Sequence, residues 1–245
     1  MLRAAISGNT IRNSHALVVD ALGAAIIAGD YPPGATLPGD LDLATRFDVS
    51  RTVLREAMKT LAAKGLIVAR ARIGTKVNDR QTWNLFDSDI LRWHLQQGTD
   101  TAFLSHLSEM RLSFEPFAAR LACIRARRED IARMYSAADA MAGAGSMEDF
   151  ALADLDLHMA LLEASRNPFM FSVGALIEAA LVTSFRVSSP HGDEARQANA
   201  AAKHRMIPAA IEKSDPDAAA DAVRAVILEG KDRIELTLSR GEAGS

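Results

Sequence analysis

The chain has 245 residues, 49% of them hydrophobic and 5% aromatic, with a net charge of −3 and a single cysteine, Cys123. That length suits one large domain or two ordinary ones, and a lone cysteine excludes an internal disulfide, so a reducing compartment is expected. No apolar run reaches membrane-spanning length and the opening "MLRAAISGNTIRN" has no signal-peptide core, which points to a cytoplasmic protein.

Residues 1–12 carry no periodic pattern and are expected to be mobile. Ser14 can cap a helix running to about Ala28, with Leu17, Val18, Ala21, Leu22, Ala25 and Ile26 as its apolar positions. "GDYPPGATLP" is dense in Gly and Pro and ends that helix. Asp40 opens a short helix through "LDLATRF", and "DVS" makes a turn. Ser50 is a good N-cap for "RTVLREAMKTLAAK", and Gly65 supplies the stop. "LIVAR" and "TKV" read as two short strands around "ARIG". Helix, helix–turn–helix and hairpin together predict a winged helix-turn-helix module over 13–78. The stretch "NDRQTWNLFDSDILRWHL" makes 79–97 a linker with a linker helix. Beyond it only helical patterns follow, at roughly 101–126, 129–142, 147–165, 169–187, 195–213 and 216–239. The predicted fold is mostly α, with an antiparallel all-α bundle over 98–245.

Charge is unevenly placed. Residues 11–78 hold nine Lys/Arg against six Asp/Glu, whereas 79–245 hold eighteen against twenty-five. A basic module on an acidic body is compatible with nucleic acid even though the whole chain is acidic. On the helix after Ser50, Leu54, Ala57, Met58 and Leu61 form a core-facing stripe. Arg51, Arg55 and Lys59 follow one another at i+4 on another face, with Thr52 beside the first turn. A recognition helix needs this arrangement, because arginine can read guanine bidentately in the major groove. The competing reading is a solvated basic face; the turn before the helix and the wing after it favour DNA.

"LPGDLDLATRFDVSRTVLREAMKTLAAKGLIVARARIGTKV" resembles the DNA-binding domain of GntR-family transcription regulators. The resemblance implies DNA contacts from Arg51, Thr52 and Arg55, and from the wing around Arg72 and Gly74. It departs from the pattern at Gly39-Asp40-Leu41, where Leu41 replaces a DNA-contacting arginine, and at Arg72, which replaces the wing-tip glycine.

"FALADLDLHMALLEASRNP" poses a second question. Asp154 and His158 share a helix face with Ala151, Leu155, Leu161 and Leu162. Buried unpaired, they would cost several kcal/mol, so they need each other, a metal or a bound ligand. Arg111 and Glu115 also lie on an apolar stripe, with Leu104, Leu107, Ala118 and Leu121. They are either a buried ion pair or an anion site in which Arg111 holds an acid.

Residues 84–240 resemble the FadR-type (FCD) ligand-binding domain of the same family. The resemblance implies a divalent-metal site on Asp154, His158 and His204, with a further histidine expected where Val226 stands. Two imidazoles and a carboxylate suit zinc, nickel, manganese or iron. Pro208, one turn after His204, cannot donate the helical hydrogen bond. Asn167 is an effector-binding candidate or the cap of the next helix. His191 reads as a loop residue, and His94 and His106 as surface or groove residues.

"QTWNLFDSDILRW" is similar to the linker of the family branch that controls D-galactonate catabolism, which implies a sugar-acid effector such as an aldonate. The expected protein is a repressor, acting as a homodimer on a palindromic operator and released by a small carboxylate. The alternatives are a metal-dependent enzyme using Asp154, His158 and His204, and an effector-independent architectural DNA-binding protein. No general base stands recognisably beside the trio, which argues against an enzyme.

Overall fold

A computed structural model of the chain describes residues 13–97, 101–188 and 192–242. It divides near residue 98 into two compact units.

The first unit begins with α1 (Ser14–Ala28). Its cap is Asn13, one residue before the expected Ser14: the Asn13 Oδ1 accepts from the Ala16 N–H at 2.8 Å. Both residue types cap well, so neighbouring candidates cannot be separated by type alone. α2 (Asp40–Phe47) and α3 (Arg51–Ala63) follow. The Ser50 hydroxyl accepts from the Val53 N–H at 3.3 Å, as its position predicts. Gly65 takes φ +80, and a Cβ there would fall 2.1 Å from the Thr82 carbonyl oxygen, so only glycine fits. β1 (Ile67–Arg70) and β2 (Gly74–Val77) pair antiparallel, with Ile67 opposite Val77 and Arg70 opposite Gly74. The segment before α2, expected as loop only, adds backbone bonds to this hairpin from Leu37 N to Thr75 O and from Val77 N to Ala35 O, each 2.9 Å.

α4 (Ser88–Gln96) lies in the stretch expected to link the domains. It packs on the first unit. Trp93 is fully buried in that unit's core with Leu22, Ile26, Leu43, Leu54 and Leu61. Its ring lies so close to Gly23 that a Cβ there would sit 2.3 Å from it. Charges rivet the same contact: Lys64 Nζ is 2.8 Å from both the Asp87 and Asp89 carboxylates, and Arg92 bonds Asp20 at 2.5 Å.

The second unit holds seven helices among the described residues: α5 (Thr101–Arg125), α6 (Arg128–Ala142), α7 (Met147–Ala164), α8 (Pro168–Ser172), α9 (Gly174–Ser188), α10 (Glu194–Glu212) and α11 (Pro216–Glu242). The single helix expected over 169–187 is broken at Val173. Gly174, which opens the second helix, packs on Met159: a Cβ there would fall 2.7 Å from the Met159 Cε. α6 packs on α7 and α10, and α11 packs on α5 and α10. Met134, Met141, Phe150, Leu157, Leu161, Leu162, Ile207 and Val223 fill the core between them.

Candidate functional site

In the first unit, α3 buries Leu54, Ala57 and Leu61 and leaves Arg51, Thr52, Arg55 and Lys59 exposed. The expected stripe and the expected basic face are therefore both present. Arg55 Nε lies 3.9 Å from the Asp40 carboxylate, and Lys59 bonds Glu56 at 2.8 Å. Both pairs are well exposed and weak enough to yield to a phosphate. Leu41, beside Asp40, is 59% exposed. At the wing tip Arg72 adopts φ +63, a left-handed conformation that glycine takes more easily. Gly74, at φ +108, opens β2.

The second unit buries five ionisable side chains together. Asp154 and His158 come from α7, His204 from α10, and Arg111 and Glu115 from α5. One ligand atom from each of Asp154, His158 and His204 lies within 4.8 Å of the other two. Asp154 Oδ1 is 3.3 Å from His158 Nε2 and 2.9 Å from His204 Nε2. The imidazoles meet edge to face, their centroids 5.7 Å apart.

The far nitrogens of both rings are engaged. His204 Nδ1 is 2.7 Å from the Ala200 carbonyl oxygen, so that nitrogen carries a proton and donates it. Its Nε2 is the nitrogen that faces the Asp154 carboxylate. The contact with Asp154 has the distance of an ion pair but not the angles of a hydrogen bond. Asp154 Oδ1 and His204 Nε2 are both buried without a hydrogen-bond partner among the described residues. A carboxylate oxygen and a ring nitrogen this close in a dry site need positive charge between them, from a proton on the ring or from a metal ion. A divalent ion fits that need, and a ligating histidine whose other nitrogen bonds a carbonyl is the usual supporting arrangement. Val226, where the resemblance places a further histidine, is buried in the apolar core and offers no ligand.

Arg111 and Glu115 form the ion pair that was one of their two expected readings. Arg111 Nε donates to Glu115 Oε1 at 2.6 Å. Arg111 Nη2 is 3.1 and 3.5 Å from the two nitrogens of His158, so the guanidinium lies against the ring rather than on one lone pair. Glu115 Oε2 accepts from His158 Nδ1. This bond was not anticipated, since sequence spacing shows only the partner one helical turn away.

The electrostatics follow from the packing. Burial opposes ionisation of Glu115, but Arg111 and His158 hold its pKa at about 2. Burial likewise opposes the Asp154 charge, yet His204 and His158 keep its carboxyl well below the usual range. For His158, burial and Arg111 act downward, and Glu115 with Asp154 outweigh them, pushing it up to about 9.

Asn167 is not brought into this hydrogen-bonded group. Its Oδ1 caps α8 by accepting from the Phe169 N–H at 3.1 Å. His106 is exposed, His94 is half-buried beside Trp83, and His191 lies outside the described residues. No helix among the described residues is long and apolar enough to cross a membrane.

Known proteins agree with both halves. Residues 15–77 match the gntR family of bacterial regulatory proteins, and 106–229 match the FCD domain. The chain is 34% identical over 219 residues to the galactonate operon transcriptional repressor of Escherichia coli, covering 89% of this chain and 95% of that one. It is 32% identical over 151 residues to the Uxu operon transcriptional regulator of the same organism, covering 59% of this chain and 56% of that one. Lar, described as controlling expression of the Listeria monocytogenes agr system, shares the fold with a TM-score of 0.62 at 19% identity, over 93% of this chain and 99% of that one. The chain belongs to the GntR family, as a winged helix-turn-helix joined to an FCD domain, and is a DNA-binding transcriptional regulator rather than an enzyme.

Proposed function

We propose that this regulator is a repressor acting as a homodimer on a palindromic operator, released by a small organic acid bound in the FCD domain. Arg51, Thr52, Arg55 and Lys59 would make the major-groove and phosphate contacts, with Arg72 and Gly74 at the wing. One such helix covers only a few base pairs, so two heads related by a two-fold axis suit a palindrome. A divalent ion, such as zinc, nickel or manganese, would rest on Asp154, His158 and His204.

The observation that carries the effector reading is the buried, mutually facing pair Asp154 Oδ1 and His204 Nε2 next to the Arg111 guanidinium. An ion held there would supply Lewis-acid coordination for a carboxylate or hydroxyl oxygen. Arg111, whose Nε donates to Glu115, would offer its remaining guanidinium N–H groups to the same carboxylate. A sugar acid such as an aldonate carries both groups, and the similarity to a galactonate operon repressor supports that class. Asn167 is a less direct candidate, because its oxygen is engaged at the helix cap.

An operator fragment selected with the purified chain, titrated with and without a panel of sugar acids, tests the reading. One acid should weaken operator binding at least tenfold, about 1.4 kcal/mol of preference between the two states. Arg111→Ala should keep operator binding and lose the response. Protein purified without chelator should carry about one divalent ion per chain, and His158→Ala should lose it. An operator affinity indifferent to every acid that binds the chain would overturn the effector reading and favour an architectural role.

A further inference from the structure

We propose that Glu115 is a positioning residue of the ion site: its carboxylate fixes the His158 imidazole with Nδ1–H turned away and Nε2 turned toward the ion. This rests on the metal reading above, and it assigns a role to a residue that is not itself among the ligands. Glu115 stands outside the Asp154–His158–His204 group and contacts only one of its members.

The geometry decides the roles. A carboxylate held by a guanidinium accepts hydrogen bonds and donates none. Glu115 Oε1 takes the Arg111 Nε–H at 2.6 Å, which leaves Oε2 to His158 Nδ1. That contact is attractive only if Nδ1 carries the proton, so Nε2 is the nitrogen left for a cation. Nε2 is also the nitrogen that faces Asp154. Glu115 and His158 are fully buried, so water cannot substitute for the carboxylate. The Ala200 carbonyl does the same for His204 with a neutral acceptor. The two imidazoles are thus presented alike by partners of different strength. A charged partner raises the basicity of its histidine more than a carbonyl does. Through its other oxygen Glu115 also ties His158 to Arg111, so the ion site and the guanidinium share one support.

The test is zinc titration of the chelator-stripped full chain against a competing chromophoric chelator, for wild type, Glu115→Gln and Glu115→Asp. Glutamine keeps the size and an acceptor oxygen but not the charge, and its zinc affinity should fall roughly 10- to 100-fold. Aspartate keeps the charge at a shorter reach and should recover part of that loss. Equal zinc affinity in wild type and Glu115→Gln would overturn the positioning role while leaving the metal reading standing. Absence of zinc binding by the wild type would overturn the metal reading, and the role of Glu115 with it. If the variants fail to fold, the wild type alone decides. Histidine nitrogen NMR of the zinc-loaded chain should show His158 ligating through Nε2 with Nδ1 protonated, and ligation through Nδ1 overturns the proposal.

Discussion

Gly23→Ala separates local helix preference from tertiary contact, because the two predict opposite signs. In the middle of α1 a glycine-to-alanine change should stabilise by about 1 kcal/mol on propensity alone. The added methyl, however, would stand 2.3 to 2.5 Å from three carbons of the Trp93 ring. Carbon atoms rest at about 3.5–4.0 Å, so ring and helix must part by more than about 1 Å. Trp93 is fully buried, so its ring cannot swing into solvent without opening the core. Overpacking of this kind costs about 1–3 kcal/mol, and complete unseating of a core tryptophan about 3–5 kcal/mol. Less the propensity gain, the net expectation is a loss of about 0–2 kcal/mol if the ring shifts and about 2–4 kcal/mol if it is unseated, each kcal/mol being about 4–8 °C in Tm for a unit of this size. Tryptophan fluorescence during urea unfolding is the natural assay, since both tryptophans of the chain, Trp83 and Trp93, belong to this core. In a Trp93→Leu background the same Gly23→Ala change should no longer destabilise, because the clash is then gone. A midpoint raised by Gly23→Ala would refute the close seating of α4 on α1.

Arg51→Ala or Arg55→Ala should abolish specific operator binding while both units stay folded; wild-type affinity in both variants would remove the recognition-helix assignment. Arg72→Gly should relieve the left-handed backbone and stabilise the first unit by about 0.5–1 kcal/mol, yet weaken DNA binding and lower its salt dependence by about one ion. A lower Tm for Arg72→Gly would show that the wing tip is held by something other than the φ preference. Without metal, the raised His158 pKa contributes stability that is complete below about 6.5 and lost as pH rises through about 9. Zinc replaces the Nε2 proton, so thermal stability of the loaded chain should not decline in that window, and zinc affinity should climb with pH up to about 9. Parallel pH profiles with and without zinc would contradict this.

The elements that the sequence displays plainly are those fixed by neighbours. Ser50, the Leu54–Ala57–Leu61 stripe and Gly65 define α3 within sixteen residues, and α3 lies where they place it. The seating of α4 was hidden because Gly23 and Trp93 are distant in the chain. Nothing near either residue announces that one is a recess for the other. The break at Val173 has no glycine-proline signal before it, and the packing of Gly174 on Met159 joins residues from two different helices. In the FCD domain, Asp154 and His158 were readable because helix periodicity puts residues four apart on one face. His204 came only through the family resemblance. Glu115 was readable as the partner of Arg111, also four apart, but its bond to His158 crosses from α5 to α7 and requires the fold.

Charge balance explains why these five side chains share one buried place. Asp154 and Glu115 bring two negative charges and Arg111 one positive charge. Counting His204 as uncharged, one further positive charge makes the group electrically even. A proton on His158 provides it, in keeping with that residue's raised pKa. If a divalent ion takes the place of that proton, the group carries one positive charge in surplus. An unbalanced charge in a dry site is costly, and a monoanion relieves it. On the proposed reading, metal loading is therefore what turns an electrically even cluster into a receptor for a carboxylate. Calorimetric titration with a sugar acid should then give much weaker binding to chelator-treated protein than to zinc-loaded protein. Equal affinity in the two states would mean that the acid is held by Arg111 alone, and that the ion is structural.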